Sequence, residues 1–120
     1  MLLRGNEYFR SGEHEDAVLY YSRSLQFDPD SAVVVANRAQ AHLALKQWGK
    51  AEADGDRAVA LDPAYVKAWV RRAAARRSRG KYLESIRDLE QALKLEPNNK
   101  GVRVATGPAR WHRAVEGLKP

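Results

Sequence analysis

Four polar side chains are spaced so that they could assemble a donor surface: Asn6, Asn37, Lys67 and Arg71. Lys67 and Arg71 stand four residues apart, which on a helix puts both on one face. A guanidinium offers paired N–H donors to a planar anion, and an ammonium adds a point charge. Asparagine amides donate without adding charge, and their carbonyls accept N–H groups. Asparagine is also a poor helix former, so Asn6 and Asn37 within helical stretches suggest amides with a task outside the backbone. Any one of the four alone reads as solvated. Together, on the first helical stretches of successive units, they read as a site for an anionic group.

Their phase is set by three acid–proline pairs, Asp28-Pro29, Asp62-Pro63 and Glu96-Pro97, which recur every 34 residues. A fixed period of this length marks a chain of stacked copies of one supersecondary unit. Aligned on the prolines, Gly5, Ala39 and Ala73 are all small, as are Ala17, Ala51, Ser85 and Ser24, Ala58, Ala92. Small residues at a shared phase let helices approach, and apolar neighbours fill the space between them. Phe27, Leu61 and Leu95 match as large apolar residues, and His14, Trp48 and Tyr82 as rings. Apolar spacing of three to four residues predicts helices over 2–11, 14–27, 31–45, 48–61, 64–78 and 82–95. Each acid–proline pair closes the second helix of a unit. Gly12 and Gly80 mark the turns inside periods one and three, with Gln47 in that place in period two. Asp30 and Ser31 are the N-cap candidates for the third helix.

Composition sets the outer bounds. The chain has 120 residues and no cysteine, which excludes disulfides, thiolate nucleophiles and thiolate-bound metals. His14, His42 and His112 lack metal-ligand spacing and read as surface or packing residues. No metal or cofactor is expected. No apolar run spans a bilayer and the N-terminus lacks a signal peptide's core, so no membrane association is expected. The net charge of +6 is concentrated in residues 66–99, at net +5, and 100–120, at net +4. That asymmetry favours an anionic partner. Nucleic acid is disfavoured because the interleaved aromatics that stack on single strands are missing. No nucleophile–base pair, phosphate loop or metal set supports an enzyme.

The strings "RGNEYFRSGEHEDAVLYYSRSL", "ANRAQAHLAL" and "KAWVRRAAA" resemble the tetratricopeptide repeat, and within it the dicarboxylate-clamp subgroup of chaperone cofactors. The wording "NRAQAH…KAWVRRAAAR…LEPNN" is most similar to the RNA-polymerase-associated and sperm-associated assembly cochaperones. The resemblance implies an all-α fold: a right-handed superhelix, or α-solenoid, of three helix pairs (1–31, 32–65 and 66–99) and a C-terminal capping helix and tail over 100–120. Val102, Val104 and Ala105 would begin the cap, and a second short helix over 109–117 would carry Trp111, Ala114, Val115 and Leu118. The first helix of each pair would line a concave groove. Period one begins late, which predicts a first helix shortened at its start.

The resemblance also implies the ligand: the C-terminal Glu-Glu-Val-Asp tail of Hsp90 and/or Hsp70, held by a cytoplasmic adaptor of which this chain would be one module. Asn6 matches the subgroup's first asparagine, Asn37 its second, and Lys67 and Arg71 its last lysine and arginine. Its first lysine falls at Leu2, a departure from the pattern. Phe9, Gln40, Leu43, Ala44, Ala74 and Arg77 are expected to line the groove beside them. The alternative is a scaffold for another protein or an internal peptide without a free carboxylate. Arg76 takes a position usually aromatic or apolar, so its guanidinium is expected to snorkel to the edge. With Arg72 and Arg79 it forms a stripe expected to face solvent.

Overall fold

The computed structural model describes residues 2–106, which form seven helices. They are α1 (Leu2–Arg10), α2 (His14–Phe27), α3 (Ala32–Ala44), α4 (Trp48–Leu61), α5 (Val66–Ser78), α6 (Tyr82–Leu95) and α7 (Lys100–Thr106). The helices pack in chain order, each on the next, and α3 also touches α5. The result is an elongated stack of 44 × 25 × 25 Å. Among the described residues no helix is long and apolar enough to cross a membrane.

The acid–proline pairs end helices as expected. The N–H groups of Asp28, Asp62 and Glu96 bond the carbonyls of Ser24, Ala58 and Ala92 at the last turn. Ser31 caps α3, its Oγ accepting from the Val34 N–H at 3.3 Å. Two full 34-residue repeats later, Asn99 does the same for α7, accepting from the Val102 N–H at 3.1 Å. The turn inside each unit closes with one motif. Gly12, Lys46 and Gly80 take left-handed φ of 83°, 59° and 78°. The next residue then reaches back five positions: Glu13 to Tyr8 O, Gln47 to His42 O, and Lys81 to Arg76 O. This is a Schellman closure. In period two the left-handed residue is Lys46, one before the expected Gln47. Lysine carries no turn signal, and the closing bonds impose the conformation on it.

The small residues sit where helices meet. Ala17, Ala39, Ala51, Ala58, Ser85 and Ala92 are fully buried, and Ala73 nearly so. Val35, Ala36, Ala58, Val59 and Ala68 form the central cluster. Val102 of α7 completes a second cluster with Val66, Ala73, Leu89 and Ala92, so α7 covers the end of the last pair. The large apolar trio does not share one environment: Leu61 packs on the central cluster, while Phe27 is 78% exposed and Leu95 is at the surface. The expected helix over 109–117, with Trp111, Ala114, Val115 and Leu118, lies outside the described residues.

Arg72, Arg76 and Arg79 do not form the solvent-facing stripe their spacing predicts. Arg72 grips Asp88 with Nε and Nη2 at 3.0 and 2.7 Å. Arg76 bonds both Glu52 and Asp88, and Arg79 and Lys81 converge on Glu52. Asp88 is 2% exposed and Glu52 is 5% exposed, so these carboxylates require that many donors. Arg76 therefore turns inward to two acids rather than snorkelling outward.

Candidate functional site

The four polar residues singled out above lie on α1, α3 and α5, the first helices of successive pairs. Three of them form a hydrogen-bonded chain. Asn37 Nδ2 donates to Asn6 Oδ1 at 3.4 Å, and Arg71 Nη1 donates to Asn37 Oδ1 at 3.4 Å. Arg71 Nη2 donates to Gln40 Oε1 at 2.9 Å. The Tyr21 hydroxyl joins the other end of the chain, donating to Asn6 Oδ1 at 2.6 Å.

The acceptors that Arg71 bonds here are neutral: the Asn37 and Gln40 amide oxygens and the Tyr65 phenol. Burial pushes its pKa below the ordinary arginine value, with the Tyr65 and Tyr21 phenols opposing the shift. An arginine stays charged in a protein. The site therefore holds a partly desolvated cation that no carboxylate balances among the described residues, and that raises its attraction for an incoming anion. Lys67, one turn earlier on α5, is exposed and makes no salt bridge among the described residues. The neighbouring arginines differ sharply, since Arg72 and Arg76 are balanced by Asp88, Glu52 and Asp56. Burial also raises the pKa of Tyr21, against the pull of Arg71 and Arg10. Arg10 lies one turn beyond Asn6 on α1.

Lys67 and Arg71 open onto a cavity of about 420 Å³ lined also by Gln40, Leu43, Val70 and Ala74. Its far wall comes from the start of α7, through Asn99, Gly101 and Val102. The cavity thus combines a cationic edge with an apolar floor. Gln40, Leu43 and Ala74 line the cavity beside the cations. Phe9, Ala44 and Arg77 are not among its lining residues. Phe9 packs on the His14 ring with centroids 4.9 Å apart, while Ala44 and Arg77 are exposed near the C-terminal ends of α3 and α5. The Tyr21 hydroxyl and the α7 wall were not anticipated. The wall was within reach of the 34-residue ruler, because Ser31, Tyr65 and Asn99 share one phase and each precedes a helix. Tyr21 gave no such signal, since a ring at a packing phase reads as core.

Known proteins share this fold. Tetratricopeptide repeat models match residues 66–99 and 1–31. Sperm-associated antigen 1 of Rattus norvegicus is 44% identical over 96 residues, covering 80% of this chain and 11% of that protein. Serine/threonine-protein phosphatase 5 of Rattus norvegicus is 35% identical over 101 residues, covering 84% of this chain and 20% of that protein. The chain thus spans between a tenth and a fifth of the length of these curated relatives. Among solved structures, the first TPR of Spaghetti (RPAP3) bound to the HSP90 peptide SRMEEVD superimposes with a TM-score of 0.90 at 36% identity, covering 96% of this chain and 90% of that one. The second TPR domain of human RPAP3 in complex with the HSP70 peptide SGPTIEEVD gives a TM-score of 0.82 at 40% identity, covering 86% of each chain. With its helix pairs, its phased small residues and these matches over most of its length, the chain belongs to the tetratricopeptide-repeat family.

Proposed function

We propose that this chain is the peptide-binding module of a chaperone cofactor. Its ligand is an acidic C-terminal tail of the Glu-Glu-Val-Asp type, as carried by Hsp90 and Hsp70. The observation that carries this reading is Arg71, partly buried and charged with neutral amide and phenol oxygens as its bonded acceptors, beside Lys67, which makes no salt bridge among the described residues. A peptide ending in aspartate brings two carboxylates within a few ångströms of each other. Lys67 and Arg71 serve as the charged donors, and Asn6 and Asn37 as the neutral ones. Each charge-assisted bond is worth roughly 1.5–3 kcal/mol net. Ordering an extended peptide costs several kcal/mol in return, so affinity is expected on the micromolar scale, about −8 kcal/mol.

The module acts by binding rather than by catalysis, in the cytoplasm, and as one part of a longer adaptor. Its units are 1–31, 32–65 and 66–99, with 100–120 as cap and tail. Calorimetry with a free-acid Glu-Glu-Val-Asp peptide tests the reading. Lys67→Ala and Arg71→Ala should each weaken binding at least tenfold, and unchanged affinity in both would refute it. Running Hsp90-type and Hsp70-type tails side by side reads out preference. Leu2, which stands where the subgroup has a lysine, favours the second reading of a scaffold for internal peptides. An amidated peptide separates the two, since the clamp loses it and the scaffold does not.

A further inference from the structure

We propose that Tyr21, on the outer helix α2, is a positioning residue that fixes the Asn6 amide with its NH2 group toward the groove. This rests on the carboxylate-binding reading above. A primary amide has nearly the same shape in its two flipped states, so its hydrogen bonds decide which atom faces where. Two donors converge on Asn6 Oδ1: the Tyr21 hydroxyl at 2.6 Å and Asn37 Nδ2 at 3.4 Å. The Asn6 Nδ2 group has no partner among the described residues, so it is the part left for a ligand. With the flip reversed, Asn6 would turn a carbonyl oxygen toward an incoming carboxylate, which repels it.

The repeat itself supports a dedicated role. The phase of Asn6 is filled by Gln40 and Ala74 in the next two units, and the phase of Tyr21 by Gly55 and Leu89. Amide and hydroxyl meet only in the first unit. Tyr21 is 2% exposed, and its ring reaches Asn6 because position 5 is glycine: a Cβ there would lie 2.6 Å from the ring. Size at one position is matched to the small residue opposite, and the product is a buried hydroxyl aimed at a groove residue.

The test is Tyr21→Phe, which keeps the ring and removes the donor. Losing one such bond should weaken binding of a free-acid Glu-Glu-Val-Asp peptide about five- to tenfold. The residual affinity for the same peptide amidated at its C-terminus, already weakened by loss of the carboxylate, should not fall further. In an Asn6→Ala background, Tyr21→Phe should have no further effect. Without any peptide, the Asn6 side-chain amide signals in an NMR spectrum should move. Equal losses for both peptides, or a full loss in the Asn6→Ala background, would mean that Tyr21 acts only through the fold. No loss in Tyr21→Phe while Lys67→Ala and Arg71→Ala weaken binding would overturn the proposal and leave the clamp standing. If those two variants bind normally but the Asn6 signals still move, the clamp is wrong and the orienting bond is right as chemistry without that ligand.

Discussion

The seam between α1 and α2 and the seam between α5 and α6 fill the same three positions with different chemistry. In the first, Arg4 sits 5.8 Å from the centroid of the Tyr20 ring, and Tyr8 stacks on that ring at 5.1 Å. In the last, Arg72 and Arg76 both hold Asp88. The middle unit lies between them, with Arg38 gripping Asp54 by two bonds and His42 Nε2 at 3.7 Å from the same carboxylate. One backbone geometry thus accepts an aromatic stack, a mixed site or a buried ion triad. What differs is the penalty for losing a member. A ring stack gives up only its own contacts, whereas a buried ion triad leaves uncompensated charge behind.

The largest expected effect follows from that asymmetry. Asp88→Ala leaves Arg72 with only the exposed Asp56 and Arg76 with Glu52, and should cost about 3 kcal/mol, read by denaturant unfolding. Tyr20→Ala in the aromatic seam should cost about 1–2 kcal/mol. Equal costs would break the contrast. Acid should distinguish the two ends next. Burial alone would raise the Glu52 carboxyl, but donors from Lys81, Arg76 and Arg79 outweigh it and hold the pKa below the ordinary 4.5. A depressed folded pKa stabilises above the unfolded value and loses that contribution as pH falls through the folded one. Below about pH 4.5, amide exchange in α4–α6 should therefore accelerate before that in α1–α2. Glu52→Gln should remove this acid dependence.

Two smaller effects sharpen the comparison. In the groove the first unit supplies an amide and the third supplies cations, so Leu2→Lys, one turn before Asn6, should raise affinity for a free-acid peptide about tenfold. Calorimetry checks it, and no gain would mean that the first unit contributes no electrostatic contact. Last, the turn of the middle unit departs from its neighbours in holding a lysine at φ 59°. Lys46→Gly should stabilise the chain by about 1 kcal/mol, seen as a higher unfolding midpoint.

Most of the helical layout was legible because proline, glycine and small residues act through the backbone, and the backbone repeats. Observed and expected helix limits differ by no more than two residues, as at Val66 against residue 64. What escaped was set by partners rather than by type. Lys46 takes its turn conformation from bonds that its neighbours make. Arg72, Arg76 and Arg79 looked like a solvated stripe because Glu52 lies more than twenty residues away in sequence and Asp88 faces them from another helix. Phe27 matched a packing phase but is 78% exposed, whereas Leu61 at the same phase packs on the central cluster. Three of the four polar groove residues are linked by hydrogen bonds, and Lys67 stands on the same helix as Arg71. Tyr21 was not legible as part of the site, since its hydroxyl matters only through the atom it reaches.

Helix α7 is half a unit, and it also forms one wall of the cavity beside Lys67 and Arg71. A helix as short as α7 frays before longer ones do. The cavity therefore owes part of its shape to the shortest of the described helices. Anything seated against Asn99 and Val102 will damp that fraying, and its affinity will fall on warming well before the array as a whole melts.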